Sequence, residues 1–248
     1  MKINIAFVIG QLTHGGSEKQ LYLLCKGLDK TKYNIIVFCL SENRHPWGDR
    51  LINIGVKVVF IPRFSRFDIS RVIKLVRNFY VFSPKIIVSL LHTANVYCGL
   101  ALKIYNRPVK YLAQIRSKEN SLSFINKYLN IYSFNVASLI ITNTKLLIPF
   151  IIDYFQQDQT KIIKIDNAIS LRNKLIKKDN TNQLKFGIIG KDTKAKNIEL
   201  FINCSIKILN DGWDATFHLC GRGLDHKSRF KDLIPVKYLD SFIFYGEI

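Results

Sequence analysis

The sequence predicts an α/β protein with two doubly wound parallel-sheet domains, the second of them incomplete. Three observations predict it. Apolar runs of strand length recur, and they are continuous rather than alternating, as strands covered on both faces require. Helical patterns lie between most of these runs. One device, a strand entering a glycine-bearing loop and then a helix start, occurs twice, at Ile3–Glu18 and at Phe186–Asn197.

The expected strands of the first domain are Ile3–Ile9, Ile35–Leu40, Val56–Ile61, Ile86–Leu91, Val109–Ile115, Leu139–Thr142 and Ile162–Ile165. Leu21, Leu24, Cys25 and Leu28 fall at i, i+3, i+4 and i+7 and form one buried stripe after the first strand. Ser17 followed by Gln20 fits a capping box at that helix start. Ile69, Val72, Ile73, Val76 and Phe79/Tyr80 make a second stripe, with Arg71, Lys74 and Arg77 facing outward. From Asp166 to Gln183 the composition turns polar and reads as a linker. The expected organisation is therefore a Rossmann-like domain at 1–165, a linker at 166–183 and a partial Rossmann-like domain at 184–248. In the last part Lys185–Ile189, Ala215–Cys220 and Phe242–Tyr245 read as strands. Ile198, Phe201, Ile202, Ser205 and Leu209 line a helix, and Asp225–Leu239 reads as a helix broken at Pro235. About 65 residues bury a modest core, marginal as a unit alone.

A chain of 248 residues with 48% hydrophobic and 12% aromatic content holds an ample core. Thirty-seven Lys and Arg against 18 Asp and Glu give a formal charge of +19, a field that attracts polyanions, anionic lipid and phosphorylated small molecules alike. The five cysteines form no Cys-x-x-Cys pair and sit in apolar patterns, so buried, reduced thiols in a cytoplasmic protein are expected. No apolar run approaches the roughly 18–20 residues that span a bilayer, so any membrane contact is expected to be peripheral.

Gly10–Ser17 is one residue away from a P-loop, which needs Lys where Gly16 stands, so NTP hydrolysis is disfavoured. Gly-x-Gly-x-x-Gly is absent after the first strand, and NAD binding is disfavoured with it. Consecutive glycines Gly15 and Gly16 still let a ligand approach the backbone; a tight strand-to-helix turn is the plain alternative. Lys191 and Lys196 flank the second loop, with Asn197 at the helix start. Together they could clamp a diphosphate, or they are ordinary solvated lysines. Gly221-Arg222-Gly223 follows a strand at the sheet edge where α/β ligands gather.

In this order the pieces resemble the family-4 glycosyltransferases of GT-B fold. Gly15-Gly16-Ser17-Glu18 is similar to their Gly-Gly-x-Glu loop, and Phe186–Asn197 resembles their donor-phosphate loop. Ile165–Ile169 is similar to the Asn-Gly-Ile segment that closes their N-terminal domain. Leu139–Thr144 and Leu219–Leu224 resemble two further strand ends. The resemblance implies transfer of a sugar from a nucleotide-sugar to a polysaccharide or lipid-linked acceptor, with retention at the anomeric carbon. It implies no metal and no cofactor beyond the donor substrate. By position it puts Gly15, Gly16, Lys191, Lys196, Asn197, Gly221 and Gly223 at the donor and Glu18 and Asn95 on the acceptor side. It makes His92 and Arg116 the catalytic candidates. Lys191 stands where the family usually has Arg, which keeps charge and loses bidentate geometry. A satisfied loop histidine and a solvated helix-start arginine are the plain alternatives for His92 and Arg116.

The family's acidic pair is expected beyond Ile248, and Glu247 is not assigned to it. The sequence is thus expected to stop about 100 residues short of a standard domain. Turnover would then be impaired, and a non-catalytic remnant that binds acceptor or membrane is the alternative. Arg63, Arg66, Arg71, Lys74 and Arg77 with Phe64, Phe67, Phe79 and Tyr80 could rest on an anionic bilayer at the inner face of the cell membrane, or form a solvated helix face over a buried aromatic stripe. Phe124, Tyr128 and Tyr132 read as core or acceptor-groove packing. Nucleic-acid binding stays a minor alternative, because no recognition motif accompanies the charge.

Overall fold

The computed structural model describes residues 2–64, 68–118, 122–170 and 183–247. It forms two compact units, Met1–Arg172 and Asn173–Ile248. Of the expected linker, residues 171–182 lie outside the described residues, as do Arg66 and Phe67 of the basic cluster.

The first unit is a seven-stranded parallel sheet: β1 (Ile3–Ile9), β2 (Tyr33–Cys39), β3 (Lys57–Phe60), β4 (Ile86–Leu90), β5 (Lys110–Ile115), β6 (Leu139–Thr142) and β7 (Ile162–Lys164). Their spatial order is β3-β2-β1-β4-β5-β6-β7. The chain winds outward from β1 to β3, then returns past β1 and winds the other way, so the switch point lies between β1 and β4. Successive strand residues explain the unbroken apolar runs. Ile5, Phe7 and Ile9, with Ile35, Val37 and Cys39, pack against helices α1 (Gly16–Gly27) and α2 (Trp47–Asn53). Ala6, Val8, Ile36 and Phe38 face α3 (Ser70–Phe82), α4 (Leu91–Ile104), α5 (Phe124–Val136) and α6 (Ile148–Phe155). Both faces being covered, no strand position is left for a polar alternation.

Four local expectations are corrected. The Ser17–Gln20 capping box does not form: the N-cap of α1 is Gly15, with no side-chain cap. Instead the Gln20 amide donates to Ala168 O at 2.8 Å and accepts from Ala168 N at 2.7 Å, tying α1 to the segment after β7. Leu91 is not the end of β4 but the first residue of α4, reached through a φ of 71°. The buried face of α3 is Arg71, Val72, Leu75, Val76 and Phe79, so Arg71 faces inward while Ile69 and Ile73 are exposed. Of the core and acceptor-groove readings of Phe124 and Tyr128, the core one is excluded, because both are exposed on α5, their rings 4.4 Å apart.

The second unit is a three-stranded parallel sheet, β8 (Leu184–Ile189), β9 (Ala215–Cys220) and β10 (Phe242–Gly246), in the order β10-β9-β8. One face packs on α7 (Ile198–Asn210): Ala215, Phe217 and Leu219 meet Ile198 and Ile202, and Leu224, Phe230 and Ile234 complete the core. The span Asp225–Leu239 forms two 3₁₀ segments, Arg229–Leu233 and Val236–Ser241, in place of the expected broken α-helix. Pro235 lies between them and, lacking an N–H, stops the first from continuing. Cys25, Cys39, Cys98 and Cys220 are buried as expected, but Cys204 is exposed on α7.

Candidate functional site

In parallel α/β sheets ligands gather at the carboxyl ends of strands, and each unit has such an edge. At the switch point of the first unit the segments leaving β1, β2 and β4 enclose a cavity of about 570 Å³. Gly10 and Gln11 line it from β1, Leu40–Asn43 from β2, and Leu90, Leu91 and Thr93 from the β4–α4 junction. Pro62, Arg63 and Arg71 close it from the segment after β3 and from α3. Arg71 is only 6% exposed. Its guanidinium donates from Nη2 to Leu40 O and lies 5.3 Å from the Tyr97 ring centroid. Its Nε has no acceptor among the described residues.

Beside this cavity the Gly15–Glu18 loop explains its own composition. The Glu18 side chain, 4% exposed, folds back over Gly15, and any Cβ there would overlap its carboxylate. A negative group over the first turn of α1 also suits the helix dipole. Gly16 by contrast has open space where a side chain would go. Gly15 is thus held by Glu18, whereas no packing among the described residues dictates Gly16.

Arg116 follows β5 and is half-buried, and that burial pulls its guanidinium below the ordinary arginine range. Its Nη1 donates to Asn167 Oδ1 at 2.6 Å and its Nε to Gln114 Oε1 at 3.3 Å. Two motif-bearing segments, the β5 exit and Ile165–Ile169, are therefore joined by one side chain. His92 is not a loop residue; it is buried in α4, its ring 5.7 Å from that of Phe155 and its Nδ1 3.4 Å from Asn130 Oδ1. Its neighbours Leu91 and Thr93 line the cavity. Asn95, expected on the acceptor side, is corrected: it is fully buried and accepts from Ser89 Oγ while donating to Gln114 O at 3.1 Å. Tyr111 and Ser133 complete that internal network, with Tyr111 Oη 2.7 Å from Ser133 Oγ. A side chain with its donors and acceptors spent inside the core has no face for a ligand.

The carboxyl edge of the second unit is laced by backbone. Gly190 N donates to Cys220 O at 2.9 Å, Asp192 N to Arg222 O at 2.9 Å, and Gly221 N to Gly246 O at 2.7 Å. Gly221 holds φ of 136° and touches the Gly190 peptide so closely that a Cβ would come within 2.6 Å of its carbonyl carbon. Only glycine fits there. Gly223, at φ of 81°, packs on Asp192. The aliphatic stem of Lys196 lies across Gly190, and its exposed ammonium and that of Lys191 flank the loop. Asn197, in the left-handed region at φ of 46°, opens α7 without a side-chain cap. Its first-turn N–H groups add a partial positive charge to the two ammonium groups. Arg229 fixes the loop from outside through two bonds to Asp192, 3.0 and 3.1 Å, which hold that carboxyl below its usual range.

Sequence reasoning gave Thr93 no role, placed Arg63 in a membrane-facing basic cluster and turned Arg71 outward. Their signal was faint because the cavity draws on segments more than 80 residues apart. The Asp192–Arg229 pair was missed because its members are 37 residues apart and Arg229, placed on an expected α-helix, lies in a 3₁₀ segment. Among the described residues no group of three or more His, Cys, Asp or Glu could hold a metal ion. No helix among them is long and apolar enough to cross a membrane.

The Glycosyltransferase Family 4 model matches residues 14–173. A comparison with curated proteins finds no match. Among solved structures, HepE from Anabaena in complex with UDP superposes with a TM-score of 0.77 at 15% identity, over 100% of this chain and 70% of its own. A glycosyltransferase from Rickettsia africae gives 0.75 at 13% identity, over 100% and 69%. The lipopolysaccharide outer core galactosyltransferase WaaB in its apo form gives 0.66 at 14%, over 99% and 68%. At these identities the likeness is one of fold, and the fold is that of the GT-B glycosyltransferases.

Proposed function

The chain belongs to Glycosyltransferase Family 4, and from that premise we propose that it transfers a sugar from a nucleotide-sugar to a saccharide or lipid-linked acceptor with retention at the anomeric carbon. The observation that carries the reading is the second unit's edge. Lys191, Lys196 and the N-terminus of α7 converge on a loop whose backbone is braced by Gly221. Sugar transfer leaves a nucleoside diphosphate whose charge grows as the glycosidic bond breaks. Fixed cations and amides at that position stabilise the transition state more than the ground state. The binding of UDP and UDP-glucose by HepE makes a uridine nucleotide the first probe.

The first unit would hold the acceptor. Gly16, with open space around it, would let a donor group approach the backbone, and Arg116 would stand near developing charge, steered by Asn167. Peripheral contact with an anionic membrane at the inner face belongs to the same reading. Its support is an exposed α3 surface where Ile69, Ile73, Arg77 and Tyr80 share a face and Lys74 lies over the Phe64 ring at 4.3 Å.

The test is calorimetric titration of UDP, GDP and UDP-glucose, followed by assay of UDP release with acceptor sugars. Uridine-nucleotide binding abolished by Lys196→Gln is expected. No binding at millimolar ligand removes the reading, and binding without turnover makes the chain a binding module.

A further inference from the structure

The cavity of the first unit is lined by a buried cation with a donor left over. Arg71 is 94% removed from solvent by the complement of its exposure, spends one donor on Leu40 O and leaves Nε without an acceptor among the described residues. Burying a cation this deeply with a donor unspent is costly, and an anion in the cavity would complete the site. Asp68 offsets part of this charge, since besides the bond from Ser70 Arg71 helps to lower its carboxyl, but its oxygens accept from Phe64 N and Ser70 N at 2.9 Å each in the turn before α3 and leave Nε unsatisfied among the described residues. Glu42 lines the cavity too, but it is exposed, and water screens it. Arg63 adds a second cation to the lining. The N-terminus of α4, a 14-residue helix, brings Leu91 and Thr93 to the same lining, its first residue at φ of 71°.

We propose that this cavity binds a phosphoryl group carried by the acceptor. A carboxylate offers one negative charge and two oxygens. A phosphoryl group offers between one and a half and two charges, by the usual figures, and three oxygens. Two guanidinium groups, the Thr93 hydroxyl and a helix N-terminus fit the second inventory. At about 570 Å³ the cavity has room for a sugar ring beside the phosphoryl group. Calling the ligand an acceptor rests on the sugar-transfer reading above; the anion site itself does not.

The experiment titrates the full chain with glucose 6-phosphate, glucose, glucuronate and UDP, and separately with vesicles of phosphatidylglycerol or phosphatidylcholine. Glucose 6-phosphate is expected to bind and glucose and glucuronate to bind at least tenfold more weakly. Arg71→Gln and Arg63→Gln should each weaken glucose 6-phosphate about tenfold or more while leaving UDP unchanged, and Lys196→Gln should do the reverse. Preference for phosphatidylglycerol vesicles that both arginine variants lose would identify a lipid headgroup as the phosphoryl source; indifference to vesicles points to a free sugar phosphate. If Arg71→Gln fails to fold, Arg63→Gln decides. Equal binding of glucuronate, or phosphate binding that survives both arginine changes, overturns the proposal. UDP binding without glucose 6-phosphate binding sinks this inference alone, and the opposite pattern sinks the donor reading alone.

Discussion

The carboxyl carbon of Glu18 sits only 2.7 Å from where a Cβ on Gly15 would stand. The spacing Gly15-Gly16-Ser17-Glu18 is therefore a packing requirement at its first position and an open approach at its second. Gly15→Ala is expected to displace Glu18 and destabilise the first unit by about 1–3 kcal/mol. Gly16→Ala is expected to stay within about 0.5 kcal/mol of the parent. Thermal melts of both variants check the contrast. If Gly16→Ala melts normally but loses nucleotide-sugar affinity, the open side of Gly16 is where the ligand approaches.

The Arg116–Asn167 bond joins the β5 exit to the segment after β7. Asn167→Ala should cost about 1 kcal/mol of stability, and a double-mutant cycle with Arg116→Ala should give a coupling of about 0.5–3 kcal/mol. Additive costs would mean that the pair is a contact without consequence.

Alkaline pH should unfold the first unit early. Burial pushes the Cys25 thiol from its usual 9.0 up to about 12 and the Cys39 thiol up to about 11. A thiol whose folded-state pKa is raised keeps its proton while the unfolded chain has already lost it. Stability is then intact below pH 9 and falls as pH climbs from 9 toward 11–12. Urea melts across this range should show the decline, and Cys25→Ala should flatten it. A slope unchanged in that variant would assign the loss to other groups.

Asp192 should govern the order of the loop after β8. Arg229 holds its carboxyl below the usual 3.8, so the pair persists above that pH and is lost as pH falls through the depressed value. Asp192→Asn should speed hydrogen exchange at the Asp192 amide, which donates to Arg222 O, without changing that of β9. Exchange as slow as in the parent would show that backbone lacing suffices.

β8 should drive self-association. No strand covers its free side among the described residues, and Leu184, Phe186 and Ile189 are exposed along it. Such an edge is a template for another chain. Ile189→Lys is expected to lower the aggregated fraction in size-exclusion chromatography with little change in melting temperature. Identical profiles would count against an open edge.

Much of the fold was legible because continuous apolar runs and their punctuation are local. All ten strands stand where those runs predicted them, within two residues at each end. The failures have physical causes. Leu91 prolongs an apolar run, yet a left-handed turn without glycine starts α4 there. Arg71 lies next to the buried stripe of α3, and the Leu40 carbonyl, 31 residues away, and the Tyr97 ring give its guanidinium a reason to turn inward. The loop after β8 was legible as glycine and lysine spacing; the cavity of the first unit was not, because Gly10, Leu40, Arg71 and Thr93 meet only after the sheet is wound.

Four thiols lie sealed and Cys204 alone meets solvent, seven residues into α7. A maleimide dye should therefore attach at one known address without any engineered cysteine, roughly 10 Å along the helix axis from Asn197. The untouched protein thus comes with its own reporter position for watching whether the lysine-rich loop responds to an added nucleotide. Counting reactive sulfhydryls, one before denaturation and five after, gives the same chain a built-in gauge of whether a preparation is intact.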